Sequence, residues 1–285
     1  MQKLNNKINF FDGKTIKDMN ILSNAFGTTC KKVELDNGDE YVVKQLIDKK
    51  DNYNSIYYEG KSLQFMHKKF PELFPQVFYL KDNILIMQYI KHNKIKKKES
   101  EKELALIIAK IHQNKNDSFG FEFDPPIGGI KQPSKYSSSW SDFFSINRLL
   151  MIYEKISLIK PMPKEINILI ENLIRNIKNF IPNNPKPSLI HGDMWEGNIL
   201  LNDGKIIGLI DPGIYYAHNE MELAYLQWFN YISKEFYAYY SEHGNIDKDY
   251  FKYSEIYQLY YCLLNVHLWS REYIKDTYRL LEKFK

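Results

Sequence analysis

Residues 189–201 read LIHGDMWEGNILL. His-Gly-Asp, a Trp and an Asn are crowded between two apolar runs, where a plain turn needs little beyond Gly and Asn. Working outward, residues 198–211 continue as NILLNDGKIIGLID. Ile199–Leu201 and Lys205–Ile210 read as two short strands, and Asn202-Asp203-Gly204 suits a three-residue hairpin loop. Pairing Leu201 with Lys205 sets Asn198 across from Gly208, with Asp211 just beyond at the same open end. At ~3.3 Å per residue, Asn198 and Asp211 lie roughly 10 Å apart or less. An amide oxygen and a carboxylate then converge on one point. Two hard oxygen ligands, with room for phosphate oxygens and water, suit Mg²⁺, which uses few protein ligands. Asp193 falls in the turn entering the hairpin, near the metal position without needing to ligate it.

The N-terminal third supplies a second constellation. MNILS, NAFGTTC and KKVELDNGDEYVVKQL read as strands, the last split by an Asn37-Gly38 hairpin turn. Residues 53–68 read as a helix with Ile56, Leu63 and Met66 on its apolar face. FPQVFYLKDNILIMQYI gives two more strands around Lys81-Asp82-Asn83. Lys44 shares a strand face with Val42 and Leu46, and Glu59 falls on the apolar helix face. A lone buried charge is costly, so the two are expected to meet. A Lys held in this way, under the strand–loop–strand NAFGTTC, can grip nucleotide phosphates. A strand Lys and helix Glu, followed by Asp193, Asn198 and Asp211, together suit phosphoryl transfer, which needs mainly positioning and charge neutralisation. Each piece alone is also a common structural feature.

The rest of the chain narrows the class. It has 285 residues, 44% hydrophobic and 26% charged, enough for a sizeable core in one large domain or two lobes. Ser100 with Glu103 reads as a capping box for a helix over EKELALIIAKIHQN. Residues 117–140 read as an irregular loop, and helices are expected near 220–242 and 249–282, their aromatic stripes as core. The net charge of +4 does not imply nucleic acid, and Lys96–Lys98 lacks interleaved aromatics. Two cysteines make no disulfide framework, the first residues carry no signal-peptide pattern, and no apolar run approaches ~20 residues. A cytoplasmic protein without membrane or nucleic-acid partners is expected.

HGDMWEGNILL, followed by GLIDPG, resembles the aminoglycoside-phosphotransferase-like kinases. Within them the chain looks most like the fructosamine kinase (ketosamine-3-kinase) family, whose HGDLWxGN places Trp after the same motif. IDPGIYYAHNEMELAYLQWF and FGFEFDPPIGGIKQPSKYSSSWSDFFSINRL resemble two further family segments. The resemblance covers nearly the whole chain. It implies an α+β, two-lobed protein-kinase-like fold, with an N-terminal antiparallel sheet plus helix over 1–90 and a mostly helical lobe over 91–285. It implies Asp193 as catalytic residue, and Asn198 and Asp211 as Mg²⁺ ligands. ATP would contact Lys44, Glu59, Gly27 and Thr28, with Met87, Gln88, Tyr89 and Ile90 as the hinge at the adenine. His191, Trp195, Tyr216 and Glu222 are candidates for the acceptor site. The implied activity is ATP-dependent phosphorylation of the 3-hydroxyl of a free or protein-bound ketosamine, which places a leaving group beside the carbonyl and leads to deglycation. Departures are a glycine-poor NAFGTTC loop, Gly213 for Ala, Ala217 for Gly, Gln88 for a frequent hinge Glu, and KQPSKY where the family carries a PQ step. The last leaves the sugar open. A kinase of another amino-alcohol, of aminoglycoside or choline type, and a nucleotide-binding pseudokinase are the rival readings. Cys30, where the nucleotide loop enters a strand, is a candidate for oxidation.

Overall fold

The computed structural model describes residues 9–11, 13–48 and 52–284. The first eight residues, read above as free of a signal peptide, lie outside the described residues. Five antiparallel strands build the N-terminal sheet: β1 (Ile16–Ala25), β2 (Thr28–Leu35), β3 (Glu40–Leu46), β4 (Val77–Lys81) and β5 (Ile84–Gln88), in the order β1-β2-β3-β5-β4. Alternation along β3 sorts its side chains to two faces. Val43 packs with Val33, Leu35, Ile84 and Ile86 on one face, while Val42 and Leu46 join Ile56, Leu63 and Met66 on the other. Those three belong to helix α1 (Ser55–Lys69), which Asn54 starts by accepting the Tyr57 N–H through its side chain. The expected strand and helix assignments over residues 19–88 hold to within a few residues.

Beyond β5 the chain is mostly helical. Helix α2 (Glu99–His112) begins without a side-chain cap at Lys98. The expected capping box is therefore absent. Ser100 instead donates its hydroxyl to the Gly204 carbonyl, and Glu103 accepts the Ile206 N–H. Ser100 also accepts the Lys97 N–H, so the two side chains tie the helix start to the unpaired backbone of a neighbouring hairpin. Residues 117–139 are irregular apart from the two-residue strands β6 (Pro126–Ile127) and β7 (Ile130–Lys131). Helix α3 (Trp140–Phe144) runs through one π turn, Ser145–Leu150, into α4 (Met151–Ile159), and α5 (Lys164–Asn176) follows.

Two more short strand pairs and four helices complete the fold: β8 (Ser188–Ile190), β9 (Ile199–Asn202), β10 (Lys205–Leu209), β11 (Tyr215–Ala217), α6 (Glu220–Trp228), α7 (Lys234–Ser241), α8 (Tyr250–Leu268) and α9 (Ile274–Leu281). β8 pairs with β11 and β9 with β10. The 220–242 and 249–282 segments are thus two helices each. One hydrophobic cluster runs from under the sheet, through α1 and α2, to Tyr257, Tyr260 and Tyr261 of α8. Most of the Tyr-rich tail is core, as the aromatic pattern suggested. Among the described residues, no helix is long and apolar enough to cross a membrane.

The β9–β10 register differs from the expected one. Asn202 pairs with Lys205, so the loop is Asp203-Gly204 alone, at φ 50° and 88°. Two consecutive left-handed residues are the turn that matches strand twist in a two-residue hairpin. A bulge between Ile206 and Gly208 then shifts the pairing. Ile210 donates its N–H to the Asn198 carbonyl (3.1 Å), so Asn198 lies opposite the residue just before Asp211.

Candidate active site

The loop between β8 and β9 is pinned from four directions. Gly192 sits at φ 84°, and a Cβ there would stand 2.2 Å from the Gly213 carbonyl oxygen, so only glycine fits. The Gly192 N–H donates to Glu222 Oε1 (2.7 Å). His191 is fully buried. Its Nε2 bonds the Ile210 carbonyl (3.0 Å), which can only accept, and its Nδ1 therefore accepts the Asp193 N–H (3.3 Å). Burial keeps this imidazole below its ordinary pKa and neutral. Asn198 donates Nδ2 to the Asp193 carbonyl (2.8 Å) and to Asp193 Oδ2 (3.2 Å), and Tyr225 donates its hydroxyl to Asp193 Oδ1 (3.3 Å). Burial, followed by the nearby Asp211 charge, pushes the Asp193 carboxyl up to about 7 against these hydrogen bonds.

The crowding of the motif now has a local reason. The Trp195 ring lies over Gly197, where a Cβ would meet it at 2.3 Å. Gly197 thus makes room for Trp195 between Asp193 and Asn198, and the ring faces the same space as both polar side chains.

Behind the loop, Glu222 is fully buried and its other oxygen accepts from His112 Nε2 (2.9 Å). Asn219 Nδ2 can only donate, and it does so to the Tyr240 hydroxyl (2.9 Å), which in turn donates to His112 Nδ1 (2.8 Å). The chain of donors ends on the Glu222 carboxylate, which also holds the Gly192 N–H and so orients Asp193. Burial raises the Glu222 carboxyl, but His112 and the Gly192 N–H outweigh it and hold the group below its usual value.

From the sheet, Lys44 is 7% exposed and bridges Glu59 Oε1 (2.7 Å) and Asp211 Oδ1 (2.5 Å). Burial alone would lower its pKa; Asp211 and Glu59 together hold it well above the ordinary lysine value. Burial pushes Glu59 up to about 7, although Lys44 pulls it down. Two carboxylates share Lys44, so the ammonium stays charged, and the cost of enclosure falls on Glu59, the more buried of the two acids. Asp211 sits at φ 56°. At the tip of β1–β2, Phe26 (φ 52°) and Gly27 (φ 73°) form a second left-handed pair, and the Phe26 ring meets the Trp269 ring edge-on at 5.1 Å.

A cavity of about 990 Å³ lies between sheet and helices, and its walls include Thr28, Lys44, Glu59, Asp193, Trp195, Asn198 and Asp211. Gly27 shapes the hairpin tip beside it, packed on Asp48. Met87, Gln88, Tyr89 and Ile90 are not among the lining residues; they stand at the end of β5 and in the connection that follows. Three acceptor-site expectations need correction. His191 and Glu222 are fully buried and bonded to backbone behind the loop, so they position it rather than touch an acceptor. Tyr216 pairs with Leu189 and stacks on Phe121, away from the cavity. Glu220, two residues before Glu222, is buried too and accepts from the Asp247 N–H and the Tyr253 hydroxyl. The altered KQPSKY step is divided: Gln132 and Ser134 are fully buried, with Gln132 accepting from Tyr260, while Lys131, Lys135 and Tyr136 are exposed.

Sequence reading missed other cavity residues, namely Phe26, Tyr225, Phe229, Asn265, Trp269 and Glu272. The signals were faint. Phe-Gly stood where Asn-Gly is usual for the tip of a hairpin, and the tail's aromatic stripe hid the single turn of α8 that faces the cavity.

Cys30 pairs with Lys44 across β2–β3 and is buried. Burial pushes its thiol up to about 11, despite Lys44. The thiolate is the reactive form, which weakens the expectation of easy oxidation. Brief exposure to peroxide is expected to leave nucleotide binding unchanged, and Ellman's reagent is expected to label Cys30 only after unfolding. Rapid labelling of the native protein, lost in Cys30→Ser, would contradict this.

A sheet bearing a Lys–Glu pair, set over a helical lobe bearing Asp193, Asn198 and Asp211, defines a phosphotransferase of the protein-kinase-like fold. The fructosamine kinase family model matches residues 5–285, and the chain belongs to that family. A Vibrio vulnificus protein named as a probable ketoamine kinase is 26% identical over 254 residues, 87% of this chain and 86% of its own. A chloroplastic protein-ribulosamine 3-kinase of Arabidopsis thaliana is 27% identical over 190 residues, covering 65% of this chain and 57% of its own. Among solved structures, a protein of Haemophilus somnus assigned as a fructosamine-3-kinase superposes with a TM-score of 0.82 at 25% identity, covering 95% of this chain and 92% of its own. An ADP-bound aminoglycoside phosphotransferase shares the fold at a TM-score of 0.62 and 17% identity, covering 99% and 96%.

Proposed function

We propose that this protein transfers the γ-phosphoryl group of ATP to the 3-hydroxyl of a ketosamine. The observation that carries the reading is one cavity that joins the Lys44–Glu59–Asp211 ion triad to Asp193 and to the aromatic face of Trp195. Lys44 would turn from Asp211 to the phosphates while Glu59 keeps it in place. Thr28 and Gly27 would cover the phosphates, and the Gln88–Ile90 backbone, with Met87 behind it, would meet the adenine. Asp193 would orient the attacking hydroxyl and take its proton. Its raised carboxyl makes it a better base than an ordinary Asp, and Tyr225 and Asn198 fix both its oxygens.

The donors present fit Mg²⁺. Asn198 spends Nδ2 on Asp193, which leaves Oδ1 for a cation, and Asp211 has one oxygen on Lys44 and a side chain 36% exposed. These two hard ligands would hold the ion, which when bound neutralises charge on the transferred phosphoryl group. The ketosamine 3-phosphate then breaks down in solution. Loss of a proton from C1 gives an enaminol, and expulsion of the C3 phosphate leaves a conjugated imine. Water hydrolyses this to the free amine and a 3-deoxy dicarbonyl. Both cysteines are free and buried, in keeping with a reducing cytoplasmic setting.

The test is a coupled ADP assay with mass spectrometry of the acceptor, run on fructosamine and ribulosamine adducts of a simple amine beside kanamycin-type aminoglycosides and choline. A ketosamine is expected to gain one phosphate and later to release amine and phosphate. Turnover of an aminoglycoside or choline alone would transfer the assignment to that class, and ATP binding without turnover would make the chain a pseudokinase. In the same assay Trp195→Ala is expected to raise KM for the ketosamine by about 10-fold, the loss of one aromatic contact with a cationic amine, while KM for ATP changes little. Equal changes in both would remove Trp195 from the acceptor site.

A further inference from the structure

Past Asp193 and Trp195 the cavity continues along the C-terminal end of α8 and the turn that precedes α9. The lining there is Phe229, Asn265, Trp269, Glu272, Tyr273 and Asp276, and among the described lining residues Lys44, far along the phosphate side, is the one Lys, Arg or His.

Asn265 is 8% exposed and shows what this wall lacks. Its Nδ2 donates to the Tyr261 carbonyl (2.8 Å), which can only accept, so the amide orientation is fixed. Its Oδ1 has no partner among the described residues and belongs to the cavity wall. This carbonyl oxygen opens to the cavity and can accept from a ligand that brings an N–H or O–H. Glu272 spends its backbone N–H on Ser270 Oγ, and its carboxylate has no partner among the described residues. Asp276 has only a long contact with Arg279 (3.6 Å), on the exposed side of α9. The wall thus offers acceptors, negative charge and the indoles of Trp195 and Trp269, in a molecule whose net charge is positive.

We propose that Asn265, Glu272 and Asp276 form a selectivity wall for the amine substituent of the acceptor, favouring substituents that carry a second cation and rejecting those with a carboxylate close to the ketosamine nitrogen. The inference rests on the ketosamine reading and deepens it. A carboxylate one carbon from the nitrogen, as in an adduct of a free α-amino acid, would be set against Glu272 and Asp276, with Arg279 on the outer side of Asp276 and no cation among the described residues that line this wall. A substituent ending in an ammonium would find the two acids, the free Asn265 oxygen and two aromatic faces.

The experiment compares kcat/KM for the fructosamine adducts of cadaverine and of glycine. The wild type is expected to favour the cadaverine adduct by at least about tenfold. Glu272→Gln/Asp276→Asn is expected to shrink that ratio at least about fivefold, and ~0.5 M NaCl is expected to shrink it in the wild type, since charges at an open cavity are screened. The salt arm gives the answer even where the double variant folds poorly. A wild-type ratio near one, or a ratio untouched by both salt and the double variant, overturns the wall. Where only the ribulosamine counterparts are turned over, the ratio is read on those; absence of turnover with both sugars, with ATP still bound, overturns the ketosamine reading itself and the wall falls with it.

Discussion

Asp193→Asn is expected to lower kcat by at least about 10², the range of a lost general base, while the dissociation constant of ATP changes less than about threefold. The surroundings make this a clean substitution. Asn keeps the shape of Asp and an oxygen that can accept from Tyr225 or Asn198, so the loop held by His191, Gly192 and Glu222 has no reason to move. What is lost is the negative charge and the ability to take a proton. Phosphoryl transfer through a loose transition state needs proton removal late, so the penalty is bounded rather than absolute. Burst kinetics with saturating ATP and acceptor separate the chemical step from product release. A variant with near wild-type burst rate would take Asp193 out of the reaction.

The loop that carries Asp193 was legible because a merely structural turn has no use for its composition. His191, Asp193, Trp195 and Asn198 each need a different neighbour, and HGDMWEGN places all four within eight residues. Lys44 and Glu59 were legible for a related reason: a charge on an apolar face must find its opposite, and the two faces belonged to elements that pack. Strand periodicity carried the sheet. The β9–β10 register was less legible, since a bulge is a local response to twist that the alternation of Ile and Gly does not announce. Ser100 and Glu103 fitted a capping pattern in sequence and serve a hairpin instead, because that hairpin's free backbone groups lie against the start of α2.

The acceptor side was the least legible. Glu222, His191 and Tyr216 looked like site residues because they are polar or aromatic and close to the motif in sequence. Yet a residue next to a catalytic loop is as often its support as its working face. Glu222 shows the difference: its carboxylate is spent on His112 and a backbone N–H. Asn265, Trp269 and Glu272 lie more than 50 residues beyond Asp211, on and just after a helix whose other faces are packed with tyrosine. No local pattern separates the one turn that meets a cavity from the turns that meet the core. Only the fold brings them beside Trp195.

Asp211→Asn is expected to cost more than Asn198→Ala, with a loss in kcat/KM of about 10³, corresponding to the several kcal/mol of charge stabilisation a bound divalent ion supplies. Backbone strain does not account for the expected loss. Asp211 holds φ 56°, and Asn adopts that region at least as readily. Nor does the Lys44 contact disappear, because the amide oxygen can still accept from Nζ. The change is one of charge at the point where Lys44, Asp193 and Asn198 meet. Removing it leaves Glu59 as the single carboxylate on Lys44 and takes a negative neighbour from Asp193. Binding should therefore split in two. ATP without Mg²⁺ is expected to bind Asp211→Asn at least as well as the wild type, since one repulsive charge is gone. Mg·ATP is expected to bind it worse, since the cation has lost its carboxylate. Asn198→Ala keeps that carboxylate but frees Asp193 from two hydrogen bonds, so its loss should fall on kcat more than on Mg·ATP binding. Calorimetric titration of ATP with and without Mg²⁺ into both variants reads the split directly. Equal Mg²⁺ dependence in the two variants, or tighter Mg·ATP binding by Asp211→Asn, would remove Asp211 from the metal site and leave its bond to Lys44 as its one role.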